Sequence, residues 1–246
     1  MLVIVTPWVA LFLEPPLTFA AAFALFPSRP HERWWAIALG ALLVPGAAAT
    51  LSRGMYLAFV VLAIVAIVMM PNARARLAIT AIAAAATIAL VLIPVVRDRF
   101  TSIGISFLQR VVIYDQAWTV LQHNPVFGPG LASYAQATAP LRSPHQWPSI
   151  YPHNIWLAFW SETGLLGLLS FAAAYAVLLF RGFRGLMSAS GFARPLLYGS
   201  VGTLVVYFVH GLVDTPYWKN DLSVEFWIVA ALTLAGLRLR GEAPAA

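Results

Sequence analysis

Apolar residues run in blocks of about twenty along almost the whole 246-residue chain, separated by short polar stretches. Each block is long enough to cross a hydrocarbon layer of about 30 Å as a helix. The pattern predicts spans over 34–50, 54–70, 77–96, 154–180, 196–213 and 223–237. A further apolar stretch inside 2–26 carries Glu14-Pro15-Pro16 near its middle. It reads as a broken or re-entrant helix, or as the remnant of a span whose N-terminal partners are missing. One long polar segment, 97–152, interrupts the blocks. Within it Phe107, Val111, Tyr114, Trp118 and Leu121 recur at helical spacing, which predicts a helix over 106–123 lying on a membrane surface. Asn124-Pro125 ends that helix and Gly128-Pro129-Gly130 forms a turn. Prolines and aromatics through Pro140, Pro144, Trp147, Pro148, Tyr151 and Pro152 predict an ordered lid or cleft. The expected fold is all-α: a single membrane domain over 1–246, a polytopic helical bundle of six or seven spans with one long loop.

Composition sharpens this. With 61% hydrophobic and 10% charged residues, the chain lies outside the balance of a soluble domain. It has no cysteine, which excludes disulfides, thiolate metal sites and cysteine nucleophiles. No polar basic segment precedes the first apolar run, so no secretory signal is expected. The net charge of +6 is spread over short loops, a mark of membrane topology and not of a nucleic-acid partner. Arg29, Arg33, Arg74, Arg76, Arg181, Arg184, Arg194, Arg238 and Arg240 fall on one side of the alternating spans, and only Arg53 and Lys219 occupy short loops of the other. The arginine-rich side is therefore expected to be cytoplasmic, and the 97–152 loop extracytoplasmic.

That orientation gathers four polar residues from separate regions on the outer face. Arg53 lies in the Leu51-Ser52-Arg53-Gly54 turn, Arg110 in the long loop, His153 at the start of the next span and Asp214 after Gly211-Leu212-Val213. His153-Asn154 is followed by nine residues and then Gly164-x-x-Gly167. On a helix, residues 153, 157, 160, 164, 167 and 171 form one stripe, so Gly164 and Gly167 are expected to let another helix approach below the histidine. Glu162 lies off the stripe and reads as a structural hydrogen-bond partner between helices. Blander readings stand beside each of these. His153 and Arg53 can anchor the interface, Arg110 can pair with Asp115 or Tyr114, and Asp214 can cap a helix or pair with Lys219. His123, His145 and His210 read as loop, loop and helix-packing residues. No carboxylate lies between His145 and His153, so neither metal nor cofactor is expected.

Three stretches together resemble the bacterial O-antigen ligase and polymerase family. They are Ser52-Arg53-Gly54, then Arg110-Val-Val-Ile-Tyr114-Asp-Gln-Ala-Trp118 leading to Asn124-Pro125-Val-Phe-Gly128-Pro-Gly130, and the His153-Asn154 motif with its glycines. The resemblance covers roughly residues 35–235, and on it the chain is expected to be the C-terminal portion of a larger member. It implies a membrane glycosyltransferase that moves a glycan from an undecaprenyl-diphosphate donor to a hydroxyl acceptor: a lipid A core sugar, a second lipid-linked glycan or a Ser/Thr hydroxyl, with ligase or polymerase favoured. Expulsion of a diphosphate suits arginine, which is permanently cationic and grips phosphate oxygens with two donors, so Arg53 and Arg110 are expected at the leaving group. The acceptor must lose a proton, a task for which histidine is the suited side chain, so His153 is the expected base. Asn154, Asp214 and Tyr114 are expected to contact substrate. Two other classes remain open on the residues alone: a transporter or channel with Arg53, Glu162 and Asp214 along its path, and an inactive membrane fragment.

Overall fold

The helical blocks of the sequence become helices whose ends are set by proline, glycine and polar caps. The computed structural model describes residues 7–69, 72–101, 103–144, 146 and 148–240, so the expectations for His145 and Trp147 lie outside the described residues. Among the described residues ten α-helices follow one another: α1 (Pro7–Leu25), α2 (Pro30–Ala49), α3 (Arg53–Met69), α4 (Ala73–Leu92), α5 (Pro94–Thr101), α6 (Ile103–His123), α7 (Tyr134–Ala137), α8 (Ile155–Leu186), α9 (Ala193–Gly211) and α10 (Asn220–Leu239). A 3₁₀ turn, Ala139–Leu141, follows α7. The chain is a polytopic helical membrane protein. α1, α8 and α10 are each long and apolar enough to cross a bilayer, and α3 and α4 add shorter apolar stretches.

α9 is the centre. It packs against α1, α3, α8 and α10, and all but a few of its residues are buried. Gly199, Ser200, Gly202 and Thr203 give it a slim body, and small residues let neighbouring helices approach where lipid offers no hydrophobic drive. Aromatic rings of Phe159, Phe171, Tyr175, Tyr207 and Phe226 bind α8, α9 and α10 together, with Phe159 stacked on Phe171 at 3.8 Å. On α2 and α4, Trp34, Trp35, Leu42 and Leu77 face outward, as expected for helices solvated by acyl chains.

Three departures from the sequence expectation have physical causes. The span predicted over 77–96 stops at Leu92, because Pro94 cannot continue the ladder and instead opens α5. The stretch around Pro15 and Pro16 is one helix, α1, and its Glu14 is fully buried against α9. Finally, α8 is broken at Gly164, which has φ 72° and ψ −177°. That backbone is essentially restricted to glycine. The break admits the 124–133 loop: Leu165 N–H donates to Val126 O at 2.7 Å, and Trp160 Nε1–H donates to Pro125 O at 2.7 Å. A Cβ on Gly164 would meet Val126 O at 2.5 Å. The close neighbour of this glycine is thus a loop backbone and not another helix. A Cβ on Gly167 would first meet the side chain of Thr163 in its own helix.

Candidate active site

The last turn of α9 and the residues after it, 210–214, form a hub on which four other elements converge. His210 O accepts from the N–H groups of Val213 and Asp214, both at 2.9 Å, so the helix ends in a tight turn that leaves later carbonyls available. From α6, Arg110 Nε donates to Val213 O at 2.8 Å. One turn on, the Tyr114 hydroxyl lies 2.8 Å from Leu212 O and 3.0 Å from His153 O, tying the hub to the start of α8. Asn154 Nδ2 donates to Leu212 O at 3.1 Å, while its Oδ1 accepts from Trp156 and Leu157 N–H as the N-cap of α8. The Asn154 amide is therefore engaged in the fold, which differs from the substrate contact expected of it.

His153 Nδ1 lies 3.3 Å from Asp214 Oδ1. Asp214 is 5% exposed, whereas the His153 side chain keeps a third of its surface open. Burial by itself would raise the Asp214 pKa. The His153 hydrogen bond, the attraction of the neighbouring His153 and His210 imidazoles and the Thr215 N–H at 2.9 Å outweigh burial and hold it below the usual carboxylate value. An ionised Asp214 accepts the Nδ1 proton, which leaves Nε2 as the basic nitrogen. The alternative pairing with Lys219 does not occur, since that ammonium sits 4.1 Å from the centre of the Trp8 ring. His153 also has φ 50°, a left-handed backbone uncommon outside glycine, which the surrounding hydrogen bonds must hold in place.

Tyr151 stands edge-on to the imidazole, with ring centres 4.8 Å apart. Burial, with the neighbouring Asp214 charge, pushes its pKa up to about 12. Burial likewise raises Tyr114, against the pull of Arg110. Both phenols stay protonated at neutral pH and act as donors, not bases.

Arg53 enters by its backbone. Gly54, the next residue, lies so close to α9 that a Cβ there would overlap the His210 ring and meet Val213 Cγ2 at 3.1 Å. Only glycine fits, and the fit sets the first turn of α3, with Arg53, beside the hub. The fold thus gathers Arg53, Arg110, Tyr114, His153, Asn154 and Asp214 at one end of the bundle. Gly164 and Gly167 remain apart from that end, and Glu162 accepts from Ala132 N–H in the loop instead of bridging helices.

Two features were not anticipated. Tyr151 read only as a lid aromatic. His210, expected to be a packing residue, pairs through Nδ1 with Glu14 Oε1 at 2.5 Å, both fully buried. The available signals were a lone carboxylate in an apolar helix and a histidine one turn before Asp214. Among the described residues no cluster of three His, Asp or Glu could hold a metal ion.

The O-antigen ligase family profile matches residues 36–172, more than half of the chain. The chain belongs to the O-antigen ligase family. No curated protein matches it. Within this family the chain is a membrane enzyme of the ligase type that transfers glycans. The matched region holds Arg53, Arg110, Tyr114, His153 and Asn154. Asp214 lies beyond it, and tertiary structure brings that carboxylate to His153 inside the matched region.

Proposed function

We propose that this O-antigen ligase-type chain moves a glycan from an undecaprenyl-diphosphate donor to a hydroxyl acceptor at the extracytoplasmic membrane surface, with no divalent metal. The observation that carries the reading is the His153–Asp214 pair, set beside Arg110 on a hub made by five elements. In the reaction the acceptor oxygen attacks the anomeric carbon and its proton passes to His153 Nε2. The new C–O bond forms as the bond from that carbon to the diphosphate oxygen breaks, and the diphosphate departs with the electron pair. Arg110 spends Nε on Val213 O, and its terminal nitrogens supply cationic donors for the leaving group. Arg53 adds charge from the first turn of α3. Tyr114 and Asp214 hold the histidine and so act as positioning residues, while Asn154 caps its helix.

The test is transfer of a lipid-linked glycan by purified protein. His153→Ala should lose about 10²–10⁴-fold in rate, the worth of general base catalysis, while expression and donor binding persist. Arg53→Lys and Arg110→Lys should be impaired although charge is kept, because lysine lacks the two-donor fork. Folded His153→Ala working within a few-fold of wild type would remove the base assignment. Transfer should also survive excess chelator. Abolition by chelator with rescue by magnesium would show that a metal, and not arginine, balances the diphosphate charge.

A further inference from the structure

α8 and α10 end side by side at the end of the bundle opposite His153. Arg181 and Arg184 lie in the last turns of α8, and Arg240 directly follows α10. These three side chains, with Phe180 and Leu237, line one notch of about 250 Å³. Arg240 Nη1 lies 3.4 Å from Ser188 Oγ, and the Arg184 guanidinium carbon sits 5.5 Å from the centre of the Phe180 ring. The α8 backbone at Gly185 lies against Leu237 and Arg240, so the notch has its floor where the helices touch.

Among the described residues no carboxylate forms an ion pair with any of the three guanidiniums. Two helix C-termini contribute roughly half a negative charge each, so the described groups around the notch carry about two positive charges more than they compensate. A phosphate oxyanion is the complement, since guanidinium forks match its oxygens. The outer wall names the kind of phosphate. Phe180 is 60% exposed, and Val177, one turn earlier on the same face, is 53% exposed. A cationic notch that opens onto a bare apolar face fits a headgroup with attached acyl chains better than a free anion.

We propose that this notch binds the phosphate of an anionic phospholipid, with an acyl chain lying along Phe180 and Val177. The site is remote from the His153 hub and independent of the transfer chemistry.

Native mass spectrometry of the purified full chain, exposed to equimolar phosphatidylglycerol and phosphatidylcholine, tests this. Phosphatidylglycerol should be retained about tenfold more, roughly what one charge-assisted hydrogen bond contributes. Arg184→Gln and Arg240→Gln should each remove most of that preference, whereas Arg97→Gln, exposed on α5, should leave it intact. Should the glutamine variants fail to insert, Arg184→Lys with Arg240→Lys keeps the loop charge and should still weaken retention. Equal retention of both lipids, or a preference that survives all of these substitutions, overturns the proposal. So does displacement of the lipid by millimolar inorganic phosphate at constant ionic strength, which would assign the notch to a free anion.

Discussion

At the scale of single residues, the site depends on a carboxylate kept ionised while almost wholly removed from solvent. Asp214 tolerates 5% exposure because His153 and the Thr215 N–H both donate to it. Its folded pKa is lowered, so its contribution to stability is present above the ordinary carboxylate value and is lost as pH falls through the folded one. Wild type should therefore melt above Asp214→Asn at neutral pH, and the gap should narrow as pH is lowered through and below the ordinary carboxylate range. A gap unchanged over that range would mean that ionised Asp214 is not what the fold favours. His153 is the complementary half. It is the group of the pair left partly open, and its strained backbone is held by Tyr114 at the carbonyl and Asn154 in the following cap.

At the scale of elements, α9 decides the geometry, and α1 fixes α9. Glu14 reaches His210 from the α1 side, and Thr18 pairs with Thr203 one turn farther along the same contact. The His210 ring is thereby held between the Glu14 carboxylate and the bare backbone of Gly54. Glu14→Ala leaves a buried imidazole without its partner, which should cost on the order of 1–3 kcal/mol. Thermal unfolding should show the loss, and Glu14→Gln should recover much of it by restoring a hydrogen bond. Equal melting temperatures for wild type and Glu14→Ala would show that the pair carries no stability. Elsewhere α8 gives up helical continuity at Gly164, and the gain is a loop anchored on either side of the break by Trp160 and Leu165.

Across the whole molecule the two ends differ in kind. One end carries Arg33 and Arg194 around one cavity and Arg181, Arg184 and Arg240 around another. The other end carries the His153 hub. Positive charge retained on the cytoplasmic side predicts that the hub faces outward. Because the chain has no cysteine, single thiols at Ser143 and Ser190 report cleanly on sidedness. An impermeant reagent applied from outside should label Ser143→Cys and spare Ser190→Cys. The reverse pattern would invert the orientation and place the hub on the cytoplasmic side.

The apolar blocks by themselves determined α2, α3, α4, α8, α9 and α10 and most of their ends, because lipid obliges each span to satisfy its own backbone. Arg53 and His153 stood out for a related reason: polar side chains at helix starts in an apolar chain contrast with their surroundings, whereas Arg110 lies inside α6 and was marked by its motif. What the sequence could not show is which side chains meet. The Asp214–His153 and Glu14–His210 pairs join residues 61 and 196 positions apart, and no local spacing encodes such a contact. The glycine pair of α8 misled for the opposite reason. Helical periodicity assumes an unbroken helix, and the break at Gly164 is made by a loop that arrives from forty residues earlier. Periodicity is a property of one helix in its solvent; the site is a property of the α9 end, where α1, α3, α6 and α8 compete for the same few backbone groups and only their joint packing decides which bonds form.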